Sequence, residues 1–263
     1  MLRSLSLSLS LSLAALSAAL PATAAPRADA QAPTVILVHG AFADASSWDK
    51  VAERLRQRGV PVVAVDNPLS SLGDDVAATR KAIAAAPGKV VLVGHSWGGT
   101  VITEAGDDPK VSGLVYVAAF APDAGQTSAQ QGEGFPVAPG LQQLQERDGW
   151  LSLSPATLAS DFAQDVAPEE LRQVEAHQLP LKASALGEAV TTAAWKSHPS
   201  WYVLSRNDRM LSPELQAATA QRIGAHLRAT DAGHVSPLSA PDAVSEAILE
   251  ASGLPSAQAT GGH

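Results

Sequence analysis

The chain contains no cysteine, so neither a disulfide framework nor a lipid-acylated N-terminal cysteine is available to it. Charge is also scarce. Only 17% of the 263 residues are charged, the formal net charge is −8, and Lys and Arg form no cluster, which argues against a nucleic-acid or anionic-membrane surface. Aromatics make up 4%, so those that occur together carry information. No His/Glu spacing for zinc and no phosphate-cradling glycine loop occurs, so neither a metal nor an organic cofactor is expected. What is present is apolar: 46% hydrophobic residues suit one globular domain with a sizeable core.

The first thirty residues open with a positive charge at Arg3, followed by a Leu/Ser/Ala stretch and small residues before Ala24, Ala25 and Ala30. That pattern predicts a secretory leader over 1–30, cleaved after one of those three alanines, and a periplasmic or secreted protein. Serines alternate through the leucine run and no basic stop-transfer cluster follows, so stable membrane insertion is not expected.

From Thr34 onward, short apolar runs alternate with amphipathic stretches, the pattern of parallel strands joined by crossover helices. Strands are predicted at 34–38, 60–65, from Val90 until the run stops at Gly94, and at 111–120, 201–205 and 226–230. Helices are expected to start at Ser46 or Ser47, at Asp74 or Asp75, and over 98–105, 213–223 and 241–251. The fold class expected is therefore α/β, a doubly wound, mainly parallel six-stranded sheet whose core spans 31–121 and 200–252, with a flexible tail at 253–263. The stretch 122–199 breaks the alternation and is too long for a plain loop. It reads as a helical cap inserted after the fourth strand, with helices near 155–165 and 168–177. Phe135, Trp150, Phe162 and Trp195 fall in it, and together they imply an apolar roof over the sheet.

The segment VVLVGHSWGG at 90–99 places Ser96 at a sharp turn between a strand and a helix, between Gly94 and Gly98. Such a turn forces the serine into a strained conformation with its Oγ above the sheet, the arrangement of a nucleophile. A serine hydroxyl needs a base, and the base a carboxylate. His234 follows the final strand, on the sheet edge that carries Ser96. Asp208 lies just beyond the fifth strand on that edge, with Asp123 beyond the fourth strand as second choice and Arg206 or Arg209 as competing partners for Asp208. Attack on a carbonyl also needs two hydrogen-bond donors for the oxyanion. The backbone N–H groups of Trp97 and of Ala41, in the loop HGAF after the first strand, are placed to supply them. Phe42, Trp97, Phe135 and Trp150 are the expected pocket walls.

HGAF, GHSWGG, SRNDRMLSPELQ and the late histidine together resemble the α/β-hydrolase superfamily, from 34 to about 251. The text is similar to bacterial esterase-like members related to the plant methylesterases and hydroxynitrile lyases. The resemblance implies a triad at Ser96, Asp208 and His234, oxyanion donors at Ala41 and Trp97, and a small-molecule ester as substrate. The lyases of that group share a threonine in the first oxyanion loop and a lysine directly after the histidine, where this chain has Ala41 and Val235. That difference points toward hydrolysis of small carboxylic esters through an acyl-enzyme. Perhydrolysis, C–C bond hydrolysis or lyase chemistry on the same triad remains the alternative, as do a non-catalytic binding protein of this fold and a triad covered by the cap until a partner opens it.

Overall fold

The computed structural model describes residues 32–256, so the leader expected at 1–30 and most of the tail lie outside the described residues. Strands β1 (Thr34–Val38), β2 (Val62–Val65), β3 (Val90–His95) and β4 (Val111–Val117) alternate with helices α1 (Asp49–Gln57), α2 (Leu72–Ala85) and α3 (Trp97–Ala105). The inserted region carries short helices α4 (Ser128–Gln131) and α5 (Pro155–Thr157), a π-helical turn at Leu158–Phe162, helix α6 (Pro168–Ala176), and strands β5 (Gln145–Arg147), β6 (Trp150–Ser152) and β7 (Leu181–Lys182). Strands β8 (Ser200–Ser205) and β9 (His226–Thr230) then complete the main sheet, with helices α7 (Pro213–Arg222), α8 (Ser236–Ser239) and α9 (Pro241–Ala251).

The main sheet has the order β2-β1-β3-β4-β8-β9, and every pairing in it is parallel. Its central strands are covered on both faces, which explains why they read as unbroken runs of Val, Ile and Leu. Ile36, Val38 and Leu92 pack on one side with Val76 and Ile83 of α2 and Val101 and Ile102 of α3. Val35, Leu37, Val91 and Val93 pack on the other with Val51 and Leu55 of α1 and Val244 and Ile248 of α9. The period-2 alternation of a strand thus assigns each neighbour to an opposite layer. From β1 the chain crosses to β2 on one side and then to β3 on the other, so the loops after β1 and β3 diverge and leave a crevice at the carboxyl edge of the sheet.

Several element ends differ from the sequence expectation, each for a local reason. Strand β2 starts at Val62 because the Val60 N–H turns back to the Leu55 carbonyl and Pro61 has no N–H to give. Strand β4 stops at Val117 because Ala118 adopts a positive φ of 43°. Ser71, rather than Asp74 or Asp75, caps α2 by accepting from the Asp74 N–H at 3.0 Å. Asp44 likewise caps the turn before α1, ahead of Ser46 and Ser47.

The cap departs further. It is a mixed insertion, with α6 accompanied by a three-stranded antiparallel sheet of order β5-β6-β7. The hairpin turns on Asp148 and Gly149, both at positive φ (54° and 76°), the backbone a two-residue hairpin demands and the pair that favours it. Strands of two or three residues are too short to show a period, so only that dipeptide marked them.

Candidate active site

Ser96 sits between β3 and α3 at φ 53°, ψ −119°, a conformation L-residues avoid and the surrounding packing enforces. A Cβ on Gly94 would lie 2.4 Å from the Gly98 carbonyl oxygen, so the reversal closes only with glycine. Ser96 is half-buried while the residues on either side of it, from Val90 to Thr103, are buried; the turn lifts one hydroxyl out of a sealed core.

His234 comes from the loop between β9 and α8, and its Nδ1–H donates to Asp208 Oδ2 at 2.8 Å. Both side chains are almost wholly buried. Asp208 is held by more than the histidine. Its Oδ1 accepts from the Met210 N–H at 2.7 Å and the Leu211 N–H at 2.9 Å, and its Oδ2 also accepts from Gln216 Nε2 at 2.8 Å. Four donors fill the carboxylate's acceptor positions and fix its plane. Gln216, fully buried on α7, was not singled out by sequence reasoning. Its Oε1 accepts from the Ser205 N–H at 3.0 Å, tying the acid to the end of β8. Arg206 and Arg209 do not compete for Asp208: Arg206 pairs with Asp231 at 2.9 Å and Arg209 with Asp161 at 2.6 Å. The alternative acid, Asp123, is bound to Lys196 at 2.5 Å in a half-exposed surface pair.

Two further buried histidines sit at neighbouring strand ends, His95 at the end of β3 and His39 directly after β1. His95 packs against His234 with ring centroids 4.8 Å apart and planes tilted by 50°, and its Nε2–H donates to the His234 carbonyl oxygen at 2.9 Å. Burial, with the His234 ring adding to it, holds its pKa well below the ordinary imidazole value. His39 accepts the Asn67 N–H at Nε2 and donates from Nδ1 to the Gly40 carbonyl, both at 2.9 Å, so its partners fix its tautomer. Burial lowers its pKa as well.

A cavity of about 490 Å³ opens over Ser96, and Ala41, Phe42, Trp97 and His234 line it too. The backbone N–H groups of Ala41 and Trp97 donate to no described residue, the first in a turn and the second at the first position of α3. Phe42, Trp97 and Phe135 are cavity walls, as expected. Trp150 is not: it belongs to the cap hairpin, where its ring lies beneath the Lys182 ammonium at 5.0 Å, away from the cavity. Its place is taken by aliphatic residues including Leu144, Leu181, Leu186 and Met210. Trp195 is a packing residue, its indole N–H donating to the Pro122 carbonyl at 2.9 Å. Phe162 is fully buried between Phe42 and His234, with centroids at 6.2 and 5.5 Å. The Trp97 indole donates to the buried carboxylate of Asp75 at 2.7 Å.

A switch-point crevice with a strained serine, a carboxylate-bound histidine and two unpaired backbone donors is the arrangement of an α/β hydrolase. The chain matches the profile of the Alpha/beta hydrolase family over residues 35–247 and belongs to that family. It is 26% identical over 250 residues to Probable hydrolase R7 of Phoma sp., covering 84% of this chain and 99% of that protein. To Methylesterase 2 of Arabidopsis thaliana it is 28% identical over 217 residues, 69% of this chain and 80% of the relative. The structure of a pyrethroid hydrolase from Sphingobium faniae JZ-2 shares the fold, with a TM-score of 0.74 at 23% identity over 85% of this chain and 98% of that one. The protein is thus a hydrolase-type enzyme related to the plant methylesterases.

Proposed function

We propose that this protein is a serine esterase that cleaves small, neutral carboxylic esters through Ser96, His234 and Asp208. The observation that carries the reading is the convergence on one cavity of the strained Ser96, the His234–Asp208 pair and the free N–H groups of Ala41 and Trp97. Asp208 takes the Nδ1 proton of His234 as its hydrogen bond, which leaves Nε2 as the base. Nε2 takes the Ser96 proton as Oγ attacks the ester carbonyl. The Ala41 and Trp97 amides receive the oxyanion, each worth roughly 3–4 kcal/mol of barrier. Collapse expels the alcohol, which leaves with the proton from His234, and an acyl-Ser96 remains. Water, deprotonated by the same nitrogen, then releases the acid and regenerates the serine.

The cavity argues against an anionic substrate, because its walls are mainly aliphatic and aromatic, neither Lys nor Arg lines it, and Glu133 places a carboxylate there. The relatives named for methyl esters and pyrethroids support ester chemistry. The expected leader further leads us to propose a periplasmic or secreted location, which fractionation together with the mass of the mature chain would check.

A fluorophosphonate probe should label wild type and not Ser96→Ala, and a panel of p-nitrophenyl esters should be hydrolysed by the wild type only. Absence of both labelling and turnover would sink the reading. Asp208→Asn should lower kcat by about three to four orders of magnitude, whereas Asp123→Asn should stay within about twofold.

A further inference from the structure

The two loops that carry the acid and the base are not held by the sheet alone. One short cap segment, residues 161–165, reaches both of them. Asp161 receives Arg209 Nε at 2.6 Å, next to Asp208 on the chain, and is itself almost wholly buried. Gln164 Nε2 donates to the Asn207 carbonyl at 2.8 Å, on the other side of Asp208. Asp165 Oδ2 accepts from the Gly233 N–H at 2.6 Å, the residue directly before His234. Between them, Phe162 packs its ring on His234 and on Phe42.

The segment's backbone is unusual in a way that suits this role. Residues Leu158–Phe162 form a π-helical turn, a geometry that costs regular helical bonding and recurs at functional sites. The wider turn spreads the side chains, so that Asp161 and Phe162 both point inward and are buried although adjacent. Gly233 admits the contact: a Cβ there would lie 2.5 Å from Gln164 Nε2 and 2.8 Å from Asp165 Oδ1. The two loops also bind each other, through the Asn207 N–H on the Ala232 carbonyl at 3.1 Å, so a restraint on one is felt by the other.

We propose that residues 161–165 clamp the acid and base loops in register, with Asp165 the positioning residue for His234 and Gln164 that for Asp208. The inference rests on the esterase reading for its catalytic consequence, while its structural content stands apart from it. It also divides the cap: the segment over the histidine is a fixed part of the active centre, and any opening of the cavity must occur elsewhere.

The test compares Asp165→Ala with Asp165→Asn, which keeps an acceptor oxygen toward Gly233. On a p-nitrophenyl ester, kcat should fall about tenfold in Asp165→Ala with KM within about twofold, and the Asn variant should recover most of it. Hydrogen exchange gives a readout independent of turnover. Peptides spanning 231–236 should exchange faster in Asp165→Ala while β1, β3 and β4 stay unchanged. Unchanged exchange at 231–236 would overturn the clamp whatever the activity. Should Asp165→Ala fail to fold, Gln164→Ala carries the same test through faster exchange at 206–211, with the same opposite outcome. A wild type that is never labelled by the fluorophosphonate would overturn the esterase reading alone.

Discussion

Asp75 shows how a single buried group weighs competing effects. It accepts from the Trp97 indole at 2.7 Å and the Leu69 N–H at 2.8 Å, both of which favour its charged form. Burial outweighs them and lifts its pKa from the ordinary 3.8 to about 6. Because the folded state binds this proton more tightly than the unfolded chain, Asp75 favours folding most at pH below 3.8. That contribution is lost as pH rises through 6, on the order of 3 kcal/mol in all. The stability of wild type relative to Asp75→Asn should therefore decline between pH 4 and pH 6 and level off above 7, as urea melts of both proteins would report. A flat difference across that range would refute it. Few of these polar roles showed in the text. The positions of Ser96, His234 and Asp208 at one sheet edge did, because a glycine-bracketed turn and two strand ends fix where they fall. Gln216, Asp161 and Asp165 did not, because their partners lie elsewhere in the chain and nothing local separates them from solvated polar residues.

At the scale of elements, the strand β3, the Ser96 turn and the helix α3 form one rigid unit. The close approach at Gly94 leaves no alternative packing, since the atom a side chain would strike is backbone rather than a movable tip. Gly94→Ala should cost at least about 3 kcal/mol, read as a lowered urea midpoint or loss of soluble protein. A variant as stable as wild type would contradict the strained-turn account. The central strands were readable because double-sided burial writes them as continuous β-branched runs, and α1, α2 and α9 because one apolar stripe faces the sheet. The cap strands β5, β6 and β7 were not, since two or three residues hold no period and their pairing comes from tertiary contact. The aromatic count of the cap misled for the same reason: Trp150 looked like a wall but the hairpin turns it to Lys182.

For the molecule as a whole, the sheet edge carries Ser96, His234 and Asp208, and the insertion supplies most of the cavity above them. The cavity walls come largely from the cap and from the residues just after Asp208, and they offer an incoming carboxylate no cation. Leaving an ionised group there without a partner costs several kcal/mol. A p-nitrophenyl ester with a neutral butyryl group should therefore exceed its carboxylate-bearing succinyl counterpart in kcat/KM by at least about tenfold. Equal values would mean that the acyl group binds outside this cavity.

The two neighbouring imidazoles at the centre bear on the energy of the proposed turnover. In the proposed mechanism each cycle places a transient cation on His234, and His95 lies 4.8 Å from it, ring to ring. Were His95 also protonated, the two charges would repel by about 3 kcal/mol at an effective dielectric of 20, enough to slow the reaction roughly a hundredfold. Keeping His95 dry removes that penalty. Its remaining nitrogen, Nδ1, has no partner among the described residues, so no acid stands ready to give it a proton. The same ring, through its bond to the His234 carbonyl, would hold that transient cation in place without sharing its charge.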